Sequence, residues 1–431
     1  MSAVSLLFFI GLLAYSSPPL YFQRRVRYQW ITMNGTAGIS SAEPGSVSTF
    51  AAAYVSLIAF AFVFQSLPPV LRLILTDLKL SHAQGGLLMG LFALPGILLT
   101  IPGGWLADRY GFRRVGIGAI VSMLLGTLLT AGAGDFVWLA VGRLVSGVGA
   151  MILMVTAASL VSNTFRGPKL GPAMGLYNTG MPLGTIVCFN LLGSIGTAYG
   201  WRVAVLASST AGVAALGLLL FRREPPIARR DHRGLKESLR SIDGRIWLVG
   251  ACWLWFNAAA IAFLTFSPDY FMSLNHTPKT ATFMAGFLMM GALVVSPAIG
   301  PLMGGAKRKE RLIIVGSILP AAVYFALPYL VSRQLPLLVF LGLAAALVPA
   351  PLFALPAEFV GARQQGIAFG VLATCLNIGV LFGPFSVGLS RDLTGSYQVG
   401  FAVMAAFSLL AGLSMIPLLR ATRTSVSRTN A

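Results

Sequence analysis

Charge and glycine crowd together over Gly104, Trp105, Leu106, Ala107, Asp108, Arg109, Tyr110, Gly111, Phe112, Arg113 and Arg114. A carboxylate beside guanidiniums can form charge-assisted pairs, and it can also cap a facing helix N-terminus. Asp108, Arg109, Arg113 and Arg114 therefore carry the chemistry of a latch, holding in one arrangement and releasing in another. No catalytic set accompanies them. His82, His232 and His276 are far apart, and Cys188, Cys252 and Cys375 each lie inside an apolar run. Neither group has metal-ligand or disulfide-framework spacing, so no metal and no cofactor is expected, and the chain does not read as an enzyme.

A second set of residues is polar within apolar surroundings. Arg143 lies inside an apolar run, and a charge there is expensive enough to be a functional hypothesis by default. Gln65, Tyr177, Asn178, Asn257 and Asn377 also fall within apolar runs. They are candidates to line a substrate or coupling cavity. Acids are missing from the middle of every run. Asp77, Asp135, Asp269 and Asp392 sit at one set of run ends, Asp108 and Glu358 at the other. Arg72 is placed either to pair with Asp77 at the surface or to guard the outer mouth. Glu358, followed by Arg363, is a candidate second gate. Trp253 and Trp255, near the start of a run, read as interfacial anchors.

The elements that must position these residues are membrane helices. Of 431 residues, 56% are hydrophobic and 10% charged, against about 25% charged in a soluble domain. A soluble fold could not cover that much apolar surface. Twelve spans are expected, at 50–74, 84–106, 114–134, 136–162, 172–195, 201–221, 246–267, 280–302, 312–331, 336–356, 367–389 and 399–419. Continuous runs of this length are helices, since barrel strands would be shorter and alternating. Domain boundaries follow: an N-terminal segment 1–49, a six-helix bundle 50–221, a linker 222–245, a second bundle 246–419 and a tail 420–431. Val4 to Tyr15 is apolar but too short to span; the segment is either an extra anchor or a mis-assigned start, with translation from Met33.

The net charge of +19 does not indicate nucleic acid, because its basic residues alternate between loops. Arg109, Arg113, Arg114, Arg166, Lys169, Lys307, Arg308, Lys309, Arg311 and Arg363 fall on one side, with the Arg222–Arg245 stretch. Lys79, Arg202, Lys279, Arg333 and Arg391 fall on the other. The positive-inside rule puts the first side, and both termini of the twelve-helix unit, in the cytoplasm.

The halves repeat. At an offset of 195 residues Gly96 falls on Gly291, Pro102 on Pro297 and Gly147 on Gly342. Gly184 and Gly193 then meet Gly379 and Gly388. Parallel repeats about an axis along the membrane normal are a known transporter plan, with the substrate site between the halves. The Gly104–Arg114 stretch resembles the signature loop of the major facilitator superfamily, G-x-L-A-D-R-x-G-R-R, with Phe112 replacing one basic residue. Arg143, Gly147 and Gly149 resemble that family's R-x-x-x-G-x-G/A motif. The resemblance implies an all-α membrane protein of two pseudo-symmetric six-helix bundles, a gating role for Gly104, Asp108, Arg109, Gly111, Arg113 and Arg114, and proton or substrate handling for Arg143. The second copy of the loop is worn, since Asp108 falls on Met303. Leu80, Ser81, Gln84 and Gly86, with Leu94, Pro95 and Gly96, resemble porters of cyanate, nitrate and small organic anions.

The expectation is a secondary active transporter in the cell (inner) membrane. Its substrate is a small molecule, anionic or neutral, because the pathway carries arginine and amides without acid. No Walker A sequence is present, so energy comes from a gradient, with protons as the candidate coupling ion. The bilayer is its surroundings and the monomer its expected state. A proton-coupled drug exporter and a non-transporting membrane receptor are the alternatives; a cavity acid would favour the first, and a latch argues against the second.

Overall fold

The computed structural model describes residues 46–165, 169–221, 243–295, 299, 306–360 and 365–419. The segment before residue 46 with Met33, most of the linker, Arg363, the tail and the side chain of Asp108 lie outside what is described.

Twelve long helices carry the described chain. They are α1 (Ser46–Asp77), α2 (His82–Tyr110), α3 (Phe112–Ala131), α4 (Phe136–Thr164), α5 (Leu170–Tyr199) and α6 (Trp201–Phe221). Then follow α7 (Arg245–Ser273), α8 (Pro278–Val295), α9 (Ala306–Ala326), α10 (Val331–Phe359), α11 (Gln365–Thr394) and α12 (Tyr397–Leu419). Eleven are long and apolar enough to cross a membrane. α9 falls short because its first turns read Lys307, Arg308, Lys309, Glu310 and Arg311. Its span was expected from 312; the apolar pattern marks where lipid begins, and the helix itself starts a turn and a half earlier.

Helix boundaries follow local chemistry. Ser81 and Gln84 form a reciprocal capping box that starts α2, satisfying two N-terminal donors. This gives a structural job to the Leu80–Gly86 stretch. Gly111, at φ +87°, turns α2 directly into α3, a conformation that glycine adopts without steric cost. α1 is interrupted after Phe64: a one-turn 3-10 segment over Pro68–Val70 precedes a second helical piece, Leu71–Asp77.

The two halves are α1–α6 and α7–α12, and their repeat is visible in contacts. A Cβ on Gly147 would lie 2.1 Å from the Phe92 carbonyl oxygen, and one on Gly342 would lie 2.3 Å from that of Phe287. Both pairs are related by the offset of 195. Small residues are what allow α4 on α2, and α10 on α8, to approach backbone to backbone. The halves meet chiefly along α2 and α11, and also where α5 meets α8. Gly86 faces the Pro384 carbonyl, Gly388 faces the His82 carbonyl, and Gly193 faces Thr282, each too close for a Cβ.

Candidate functional site

The break in α1 dictates the surroundings of Arg143. In a continuous helix the N–H of residue 68 would bond to the Phe64 carbonyl, and that of residue 69 to the Gln65 carbonyl. Both donors are proline nitrogens, without a hydrogen. Arg143 of α4 fills the gap. Its Nη2 donates to the Phe64 oxygen at 3.0 Å, its Nη1 to Val63 at 2.9 Å and its Nε to Leu88 of α2 at 3.2 Å. The guanidinium lies 4.3 Å from the Phe92 ring centroid. Cys188 of α5 donates to the Gln65 oxygen at 3.4 Å. Arg143 is 1% exposed, so it faces the α1 break and not open space. This changes its expected place: it cross-braces α1, α2 and α4, and among the described residues no carboxylate pairs with it. Fixed bonds to three carbonyls suit a planar five-donor fork better than a lysine.

Gln65 lies at the same break, fully buried, with neither Oε1 nor Nε2 hydrogen-bonded within the protein. The other amides are dispersed. Asn257 donates back to Trp253 at 2.8 Å and Asn377 to Ala373 at 3.0 Å, each within its own helix. The Asn377 Oδ1 is buried without a partner, and its amide abuts Gly96 across the α2–α11 seam. Tyr177 is buried with its hydroxyl 3.5 Å from the Met154 carbonyl, so it braces α5 on α4. Asn178 is exposed at an interruption in α5. Trp253 is not interfacial: it is 7% exposed and stacks on Phe256.

The opposite ends of the halves are tied by a polar network, at the face away from the basic loops. Asp392 of α11 reaches the first turn of α2. It accepts from the backbone N–H of His82 at 2.9 Å and of Ala83 at 2.7 Å. Its Oδ1 also lies 2.9 Å from the His82 Nδ1. Asp269 of α7 lies 3.6 Å from the His82 Nε2 and 3.7 Å from the Arg72 Nε, and it accepts from the Tyr397 hydroxyl. A carboxylate at a helix N-terminus takes orphan donors and faces the positive dipole end. The first half thus supplies Arg72 and His82, and the second supplies Asp269, Asp392 and Tyr397. Arg72 does not pair with Asp77. Asp77 instead accepts from Trp201 at 2.9 Å and Arg202 at 2.7 Å, within its own half. The sequence reading missed this network as a unit. Its only linear signal was the polar character of these helix ends: Arg72 and His82 flank the α1–α2 turn, and Asp269 and Asp392 lie in the last turns of α7 and α11.

At the basic face the signature stretch serves local packing. Gly104 lies against Val155 of α4, leaving a Cβ 3.7 Å of clearance. Arg109 sits 5.2 Å from the Trp105 ring and 5.5 Å from that of Tyr110. Arg113 donates to the Leu219 and Leu220 carbonyls at 2.9 and 2.7 Å, capping the end of α6. Arg114 is exposed. Glu358 pairs with Lys309 of α9, a partner in its own half, so this pair joins α9 to α10 and does not bridge the halves. At this face a Cβ on Gly171, Gly175 or Gly366 would meet nothing within 4 Å, and the start of α5 is largely exposed.

Comparison with known proteins gives a consistent picture. Residues 53–384 match the family described as Major Facilitator Superfamily. The chain is similar to a probable sulfoacetate transporter, SauU, of Cupriavidus necator, at 26% identity over 382 residues, covering 80% of this chain and 88% of the other. It is similar to a hexuronate transporter of Bacillus subtilis at 23% identity over 372 residues, covering 80% and 87%. Among solved structures, a bacterial homologue of the human lysosomal transporter Spinster, in an inward-facing and unoccupied conformation, superposes with a TM-score of 0.72. Its identity is 18%, covering 90% of this chain and 99% of that one.

Proposed function

Because the chain belongs to the Major Facilitator Superfamily, we propose that it is a secondary transporter carrying a small anion across the cell's inner membrane by alternating access, with its cytoplasmic side open in this structure. The observation that carries this reading is the position of the polar contacts between halves. Asp392 and Asp269 engage His82 and Arg72 at the face away from the basic loops. At the basic face, in contrast, the Lys309–Glu358 pair stays within one half. Closure at one end with exposed glycines at the other is what rocking halves present in one of their two states. The charge asymmetry of the loops supports a cytoplasmic position for the basic face.

The preference for an anion rests on Arg143. A buried guanidinium with no carboxylate partner among the described residues leaves positive potential at the α1 break, and low dielectric amplifies it. Similarity to transporters named for sulfoacetate and hexuronate agrees with that sign. Protons are the proposed coupling ion, and the single chain holds the whole path as a monomer. In its other state the halves close at the basic face, where Asp108, Arg109 and Arg114 act as the proposed latch.

Uptake into proteoliposomes tests the reading, with a panel of organic anions, nitrate and cationic dyes, each with and without an imposed pH gradient. Accumulation of an anion, enhanced by an inward proton gradient, is expected. Uptake of cationic dye with no anion transported would replace the anion reading with that of a drug exporter.

A further inference from the structure

Polar side chains buried in the spans of this protein normally hydrogen-bond within their own helix. Ser56 donates to Ala52, Thr127 to Met123, Thr156 to Ile152 and Thr265 to Ile261. Two buried side chains near the α1 break do not. Gln65 has both carboxamide atoms unpaired, and Thr185 of α5 has its hydroxyl unpaired; both residues are 0% exposed. Both lie along the seam where α5 packs on α1. Gly184, beside Thr185, packs on Ala61 of α1, and Cys188, one turn on, touches the Gln65 carbonyl. Arg143 binds the two carbonyls just before Gln65.

We propose that the α1 break is a ligand subsite for a hydroxylated carboxylate, held by Gln65 and Thr185. This rests on the reading of the protein as an anion transporter and names the class of anion. An unpaired buried polar atom costs about 1–3 kcal/mol, and lipid offers no water to relieve it. Discontinuous helices near the midplane are where transporters bind their cargo. Complementarity then selects the ligand. The Gln65 Nε2 is a donor and needs an acceptor oxygen on the ligand; its Oε1 is an acceptor and needs a donor there. Nitrate or a sulfonate, which only accept, would leave Oε1 unpaired. A hydroxyl next to a carboxylate serves both atoms, with Thr185 able to take either role. The Arg143 charge, one residue away along α1, favours the carboxylate.

The experiment uses the full chain, purified in detergent for thermal unfolding and reconstituted for counterflow, with glucuronate, sulfoacetate and nitrate as probes. Wild type is expected to gain thermal stability with glucuronate, and to exchange it in preference to the acceptor-only anions. Gln65→Leu should raise the melting temperature without ligand, since it removes two unpaired buried atoms. It should also weaken glucuronate binding at least about tenfold, the equivalent of one lost hydrogen bond of about 1.4 kcal/mol. Thr185→Val, nearly isosteric, should fold normally and weaken glucuronate binding in the same direction. A Gln65→Leu protein that is less stable without ligand and binds glucuronate as wild type does would overturn the subsite, the carboxamide then having a structural partner such as a bound water. Wild type exchanging nitrate or sulfoacetate but no hydroxylated acid would overturn it while leaving anion transport intact. Wild type exchanging no anion at all would instead remove the parent reading.

Discussion

Asp392→Ala is expected to open the face that this structure shows closed. Asp392 joins the halves through two backbone donors, at 2.9 and 2.7 Å, and the His82 ring nitrogen at 2.9 Å. A hydrogen bond to a charged group contributes about 1.5–3 kcal/mol. The carboxylate is partly exposed, and water takes over some of these bonds when the halves separate, so the screened total is about 2 kcal/mol. Two states separated by that much change their ratio roughly thirtyfold. Spin labels at Thr76 and Lys279, exposed positions at this face of the two halves, would report the distance between halves by double electron–electron resonance. Cys188, Cys252 and Cys375 are buried, which leaves the introduced sites as the accessible thiols among the described residues. The variant should populate a longer distance at the expense of the short one. Asp77→Ala is the control, because its partners Trp201 and Arg202 lie in the same half; it should leave the distribution unchanged. An unshifted distribution in Asp392→Ala, or an equal shift in Asp77→Ala, would refute the assignment of the Asp392 contacts as a gate.

Further outcomes follow from the same geometry. Arg143→Met strips the Phe64 carbonyl of the donor that Pro68 cannot supply, and should lower stability by about 1–3 kcal/mol; Arg143→Lys should restore little of it, since one ammonium cannot reach three carbonyls, and thermal unfolding with a ligand-free sample reads both. Gly147→Ala places a Cβ 2.1 Å from the Phe92 oxygen; the overlap should cost about 1–3 kcal/mol or more, seen as a lower melting temperature. Gly388→Ala makes a similar overlap with the His82 carbonyl, but between halves, so it should lengthen the Thr76–Lys279 distance as well. Glu358→Gln breaks a pair internal to the second half; its distance distribution should match wild type, and a shift would restore Glu358 as a gate.

The membrane class, the twelve helices and the twofold repeat are written in composition, run length and the offset of 195, because lipid imposes an apolar length on each span and a repeat keeps its packing glycines in register. The spans were therefore found nearly in place, with α9 beginning earlier since a helix can extend past the lipid on basic residues. Arg143 was legible as a charge in an apolar run, but not its partners: the carbonyls it satisfies are freed by Pro68 and Pro69, and only packing of α4 against α1 brings them within reach. The pairing of Arg72 was misplaced for the same reason. The nearest acid along the chain, Asp77, is drawn to Trp201 and Arg202, while Asp269 approaches from the other half. His82 and Asp392 are separated by 310 positions, and no local pattern connects them. Spans are set by the solvent around each helix and can be read one segment at a time; the gate and the unpaired Gln65 depend on which segments meet, and that is decided by tertiary structure alone.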